Sequence, residues 1–164
     1  MNSLSGFIKR LSLIAIVVIA TAIVMPAIMY KESAKSAEEL IIVLSSENIT
    51  IIERTSEIIT AKLNLPLDDE TVKKHVTLML KSKSEEHVDA RIKQVIRNYR
   101  LPISYQDQER FSNYIKEKRI YFLENSDKIV KYVDEYQRYL SEPLSGFYLR
   151  ITGFPKRVVI KQEL

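Results

Sequence analysis

The hydrophobic pattern of this 164-residue chain opens with an uncharged run, LSLIAIVVIATAIVMPAIMY, at residues 11–30. A helix rises about 1.5 Å per residue, so about twenty apolar residues cross a hydrocarbon core of about 30 Å. Before its final Tyr30, the run is polar only at Ser12 and Thr21, which is too little for the polar face of a soluble core helix. The run therefore predicts a transmembrane anchor that contacts the lipid bilayer.

A cleaved signal peptide is the main alternative for this segment. Lys9 and Arg10 precede the run, as basic residues do in both signals and anchors. A cleaved signal has an apolar region of roughly 7–15 residues with a small-x-small site directly after it. The nearest such site, at residues 34–36, lies beyond the apolar end. This favours a retained anchor, although the sequence leaves cleavage open.

The basic flanks of the run bear on its orientation. Lys31 and Lys35 follow the run, as Lys9 and Arg10 precede it, so the positive-inside rule gives a tie. The shortness of the flank at residues 1–10 favours a cytoplasmic N-terminus. We therefore predict a single-pass protein of the cell inner membrane whose large C-terminal part is periplasmic or extracellular.

The next segment, residues 31–65, has apolar residues at helical spacing. They alternate in steps of three and four with two polar positions, Asn48 and Thr55, which predicts a stalk-like helix with a polar-interrupted seam. Many Ile, Val and Thr residues suit short strands as well, so both interpretations stay open for residues 38–64. The apolar positions of this seam are Ile41, Leu44, Ile51 and Ile58.

Residues 66–142 predict a helical domain. Pro66, Pro102 and Pro143 divide the exported region into three helical stretches and a short tail, because proline begins or ends helices far more readily than it sits inside them. Asp68 is a candidate N-cap for the helix after Pro66. The clearest stripe lies in the last helical stretch, from about residue 107 to 140. Its apolar face consists of Phe122, Ile129, Val133, Tyr136 and Leu140.

The tail, residues 143–164, changes period. Phe147, Leu149 and Ile151 alternate with polar residues, Gly153 interrupts, and a second apolar group follows at 158–160. Period-two alternation around a turn is typical of a β-hairpin. The predicted fold is thus mainly α: an N-terminal transmembrane helix, then an extramembrane helical domain with a short C-terminal β-hairpin.

The net charge of +4 does not indicate nucleic-acid binding, since basic and acidic residues nearly balance between residues 31 and 142. No cysteine is present, and His75 and His87 are the only histidines. Cysteine nucleophiles and multi-histidine metal sites are therefore not expected. We predict no catalytic, cofactor or metal site, and no enzymatic activity.

Partner binding is the remaining functional hypothesis. Tyr132, Tyr136 and Tyr139 share one side of the last predicted helix, and tyrosine is enriched at protein interfaces. The tail adds five candidate contact residues: Phe147, Arg150, Phe154, Lys156 and Arg157.

These features predict a non-enzymatic interaction or assembly subunit of a bacterial envelope complex, of secretion, pilus or signalling type. Its partners would be envelope proteins or a second copy of the chain. The alternative is a membrane-anchored regulator or sensor that binds a small ligand in its exported helical domain.

Overall fold

The computed structural model describes residues 2–63 and 68–154, and these residues are mainly helical. Within the described ranges there are five helices and no strand. The residues form two compact units: one takes the described residues up to Leu40 and those from Tyr132 onward (unit 1), and the other takes Ile41–Lys131 (unit 2). The helices are α1 (Asn2–Leu63), α2 (Asp69–Leu80), α3 (Glu85–Tyr99), α4 (Tyr105–Ser141) and α5 (Pro143–Ile151).

Helix α1 is 62 residues long and includes Pro26. By length and composition, it contains a stretch long and apolar enough to cross a membrane, with a mean hydropathy of 2.6. Thr21 donates its hydroxyl hydrogen to the Val17 carbonyl oxygen at 2.8 Å, so this polar group is satisfied within the helix, as a lipid environment requires. The long apolar N-terminal helix predicted from the sequence is confirmed.

The open question over residues 38–64 is resolved for the described part, because α1 continues as helix to Leu63. The polar members of the seam, Asn48 and Thr55, are buried at 0% and 1% exposure. The buried positions also extend into unit 1 at Ala27, Ala34 and Ala37, which continue the same alternation of three- and four-residue steps.

The core of unit 2 is formed by all four helical segments of that unit. Phe122 of α4, Ile59 of α1, Val76 of α2 and Ile92 of α3 are each at most 4% exposed and belong to one hydrophobic cluster. On the predicted apolar face of α4, Phe122, Ile129 and Tyr136 are buried, whereas Val133 and Leu140 are half-buried. Helix α4 runs without a break through residues 125–127.

The short helices of unit 2 begin at side-chain caps. Asp68 accepts a hydrogen bond from the Thr71 backbone N–H at 2.8 Å, which confirms the predicted N-cap of α2. Ser84 caps α3 by accepting from the His87 N–H at 3.4 Å. Each cap satisfies one of the amide groups that a helix leaves unpaired at its start.

The predicted β-hairpin is wrong over residues 143–151, which form α5. Pro143 occupies the first turn, where its missing N–H and fixed φ are compatible with a helix. The hydroxyl of Ser145 donates to the Tyr139 carbonyl at 2.7 Å, so α5 packs closely on the end of α4. The second predicted strand, at 158–160, lies outside the described residues.

The physical reason for this error is that the apolar residues of the segment fit two periods. Phe147, Leu149 and Ile151 alternate as a strand would, but Leu144, Phe147 and Ile151 also recur at i, i+3 and i+7, which is the spacing of one helix face. In the helix that forms, Gly146 is buried against the backbone of Leu140 in α4. Such a contact cannot be derived from the segment's own period.

Candidate functional site

A cluster of tyrosine rings lies in unit 1, where the apolar run of α1 ends. The Tyr30 ring stacks on Tyr148 of α5, with 5.8 Å between centroids and 16° between planes. The Tyr139 ring of α4 meets Tyr30 edge-on at 6.5 Å. We call these three residues the aromatic cluster. It joins the end of the apolar run to α4 and α5.

The three tyrosines predicted to share one side of α4, Tyr132, Tyr136 and Tyr139, differ in exposure. Tyr136 is only 3% exposed, and its ring lies 6.2 Å from that of Phe154. Burial, and secondarily the negative charge of Glu38, raises the pKa of Tyr136. Tyr132 and Tyr139 are half-buried. The structure therefore makes Tyr136 a packing residue and leaves its two neighbours partly accessible.

The tail candidates also have different environments. Phe147 and Arg150 are exposed on α5, and Phe154 is half-buried against Tyr136. Lys156 and Arg157 lie outside the described residues. Phe147 and Arg150 thus occupy exposed positions of α5, whereas Phe154 packs against Tyr136.

Helix α5 exposes three large apolar side chains and buries Leu149 together with two small residues. Leu144, Phe147 and Ile151 are 68%, 55% and 54% exposed, whereas Ser145 and Gly146 are fully or nearly fully buried. A Cβ added at Gly146 would lie 2.9 Å from the Leu140 carbonyl oxygen, so this position needs glycine for close approach. The sequence did not single out Leu144 as a candidate contact residue, although its i, i+3 relation to Phe147 places the two on one face of a helix.

A second surface lies in unit 2, where α1 and α4 run side by side. The Asn48 side-chain amide donates to the Ser126 hydroxyl oxygen at 3.1 Å, and the Asn125 amide donates to the Glu47 carboxylate at 3.1 Å. These contacts put residues 47–48 of α1 at the same height as residues 125–126 of α4. Because the two helices are antiparallel, Val130 lies at the height of the turn of α1 that precedes Asn48.

On α1, positions 42, 49 and 56 are seven residues apart and therefore lie on nearly the same side of the helix. Ser56 is fully buried, but Ile42 and Ile49 are 58% and 51% exposed. On α4, Lys116, Leu123 and Val130 form the equivalent row: the first two are half-buried, and Val130 is 60% exposed. In both rows, the side chains become exposed at the same level along the α1–α4 pair.

The cause is the length of the hairpin formed by α2 and α3. Its turn meets α4 at Arg119, whose Nε donates to the Ser82 carbonyl at 2.7 Å. Beyond this turn, neither α2 nor α3 continues along α1 and α4. The apolar side chains there, Ile42, Ile49 and Val130, are more than half exposed among the residues that the structure describes, and we call them the uncovered row.

The hairpin is held to α4 by a polar contact. Asp89 of α3 accepts hydrogen bonds from the Ser112 hydroxyl and from Lys116 Nζ, the latter at 2.8 Å. Burial alone would raise the pKa of Asp89, but these two hydrogen bonds outweigh it and hold that pKa below its ordinary value. The charged form of Asp89 is therefore favoured by folding.

The described residues contain no group of three potential ligands that could hold a metal ion. His75 lies 3.2 Å from the Tyr99 hydroxyl, and burial lowers the pKa of His75. An apolar cavity beside it, bounded by Ile59, Val76 and Phe111, has a volume of only about 20 Å³. Ligand pockets usually measure roughly 300–1,000 Å³, so this cavity offers room for little more than a water molecule.

Comparisons with protein-family models, curated proteins and solved structures find no match to this chain. Among the described residues, the uncovered row in unit 2 and the outer face of α5 in unit 1 are exposed apolar surfaces. Both are suited to binding and neither carries reactive groups. The aromatic cluster connects the second surface to the end of the apolar run.

Proposed function

We propose that this chain is a single-pass, membrane-anchored, non-enzymatic interaction or assembly subunit of a bacterial envelope complex. Residues 11–30 serve as the anchor in the inner membrane, and the helices that follow lie on the periplasmic or extracellular side. The exported part binds another protein of the envelope, in a complex of secretion, pilus or signalling type. Binding to a second copy of the chain is one form of this proposal.

The uncovered row is the observation that carries the proposal. Ile42, Ile49 and Val130 are apolar and more than half exposed in unit 2, and Val130 lies between the levels of Ile42 and Ile49 along the helix pair. They continue rows whose covered members are buried at Ser56 and half-buried at Lys116 and Leu123. An amphipathic helix of a partner would fit beside the antiparallel helices α1 and α4. It would lay its apolar face into the groove between them, at the uncovered row.

The experiment is site-specific photo-crosslinking in membranes that contain the full chain. A photo-reactive residue is placed at position 42, 49 or 130, and the products are separated by mass. We expect adducts of one defined mass from all three positions, because one helix would contact the whole row. An adduct of twice the chain's own mass identifies a second copy as the partner.

The matched control uses Ile120, which is 59% exposed and lies on another side of α4. A reactive residue there should give no adduct of the defined mass. In addition, Ile49→Asp should abolish the adduct formed at position 130 while the helical circular-dichroism signal is retained. Equal adducts at 120 and 130, or none from the uncovered row, would contradict the proposed binding surface.

A further inference from the structure

We propose that α5 lies in the membrane interface beside the anchor and inserts Leu144, Phe147 and Ile151 among the lipids of the leaflet on the exported side. This inference rests on the proposed membrane anchorage of residues 11–30. It assigns α5 a lipid partner that is independent of the protein partner at the uncovered row.

The height of α5 is the first step. Tyr30 ends the apolar run and lies ten residues from Ala20, near the middle of the run. Ten residues of helix rise about 15 Å, which is half of a hydrocarbon core of about 30 Å. Tyr30 is thus at the boundary between hydrocarbon and head groups, where tyrosine rings are enriched. Its stacking on Tyr148 puts α5 at the same level.

The arrangement of residues on α5 is the second step. A helix on the surface of a water-soluble domain turns most of its large apolar residues inward. Helix α5 buries Leu149 with the small residues Ser145 and Gly146, but it turns Leu144, Phe147 and Ile151 outward. Small residues at helix contacts and large apolar residues outside are typical of packing in lipid. The three outward residues also share one face, as in helices that lie in the membrane interface.

Continuity with the anchor is the third step. Near the boundary, α1 exposes Met25, Ile28 and Met29 at 58%, 45% and 66%, and these are the residues that lipid would cover. Ala27 is buried at 5% in the same turns, so protein covers one side of α1 there. The outer face of α5 extends the lipid-facing surface of unit 1. Arg150, exposed on α5, can reach lipid phosphates while its stem stays against apolar groups.

The experiment measures lipid contact at single positions. Because the chain contains no cysteine, single substitutions such as Phe147→Cys and Leu144→Cys can carry a fluorophore without a background label. The labelled full chain is reconstituted in phosphatidylcholine vesicles, and quenching is measured with acyl-chain nitroxide lipids and with aqueous iodide. Ile19→Cys, in the apolar run, and Tyr105→Cys, 80% exposed in unit 2, are the two references.

We expect positions 144 and 147 to be quenched by the nitroxide lipids and shielded from iodide, as position 19 is, with the reverse at position 105. Quenching by iodide alone at 144 and 147 would overturn the inference while leaving the anchor intact. Shielding from both quenchers would overturn it too, because protein would then cover this face. Loss of lipid quenching at position 19 as well would refute the anchorage itself.

A second variant keeps the test independent of the labelled residue. With the fluorophore at Ile151→Cys, the added change Phe147→Ser should lower quenching by the nitroxide lipids, because one inserting residue is lost. The change Thr152→Ser, at the C-cap of the same helix, keeps a hydroxyl and should leave quenching unchanged. Equal quenching in both variants would contradict insertion through this face.

Discussion

The side-chain amide of Asn48 donates to the hydroxyl oxygen of Ser126 at 3.1 Å, which joins α1 to α4 in the interior of unit 2. Asn48 also donates to the Phe122 carbonyl at 3.4 Å, but its own Oδ1 is buried without a partner among the described residues. Ser126 meanwhile donates to Phe122 at 2.7 Å. The polar residue in the seam is therefore only partly satisfied.

This leads to a prediction for Asn48→Leu. Leucine has a similar size and removes the unpaired oxygen, whereas Ser126 keeps its bond to Phe122. Since an unsatisfied buried polar group costs about 1–3 kcal/mol, we expect the free energy of unfolding to rise by about 1 kcal/mol. Asn48→Asp should lower it by several kcal/mol, because a carboxylate would be buried without a cation. Urea unfolding of the full chain in detergent checks both, and a lower stability for Asn48→Leu would contradict the argument.

Phe122→Ala should remove the largest buried side chain of unit 2. The ring is 2% exposed within the hydrophobic cluster, and such truncations cost about 3–5 kcal/mol through lost burial and the cavity that remains. The neighbouring Tyr121 is 54% exposed, so Tyr121→Ala should change stability by less than about 1 kcal/mol. The same unfolding measurement applies, and similar losses from the two variants would exclude the assigned face of α4.

Asp89 predicts a dependence of stability on acidity. Its pKa is lowered in the folded chain, so its contribution is complete above the unfolded value of about 3.9 and is lost as the pH falls through the folded value. Asp89→Asn should therefore lower the melting temperature at pH 7 and have less effect as the pH falls below about 4. Glu109→Gln, an exposed change on α4, is the control. An effect of Asp89→Asn that is constant from pH 7 to pH 3 would argue against this role.

Gly146→Ala should loosen α5 from α4. The added Cβ would lie 2.9 Å from the Leu140 carbonyl oxygen, and a backbone atom cannot move aside as a flexible side chain could. Overpacking of this kind costs about 1–3 kcal/mol. We expect trypsin to cleave after Arg150 faster than in the unchanged chain. Thr152→Ser, on the other side of this bond, should leave the rate as it was, and an unchanged rate in Gly146→Ala would show that the contact is not needed.

The topology prediction concerns residues 11–30. A reporter that is active only outside the cytoplasm, fused after Leu164, should be active, and the chain should stay in membranes after an alkaline wash because an apolar helix of this length holds the bilayer directly. Replacing Val17 and Ile19 by Arg should release the chain, since charges at mid-span are costly. Activity of a cytoplasm-dependent reporter instead would reverse the orientation, and a mature chain starting near Ala37 would show cleavage.

The amino-acid sequence by itself determined the elements whose signals are local. The apolar run of α1 requires only length and composition, and the cap at Asp68 requires only a carboxylate beside the first turn of α2. The seam through Ile41, Asn48 and Thr55 also follows from spacing, because a helix repeats its faces every seven residues. These features depend on residues close together in the chain, so they could be predicted before any contact was known.

Only the tertiary structure decided α5 and the uncovered row. The tail segment fits both a strand and a helix, and the close packing of Gly146 on Leu140 belongs to the helical form. The exposure of Ile42, Ile49 and Val130 follows from where the α2–α3 hairpin turn meets Arg119. Each outcome depends on contacts between residues distant in the chain, and apolar spacing alone cannot distinguish a face covered by protein from one left for a partner or for lipid.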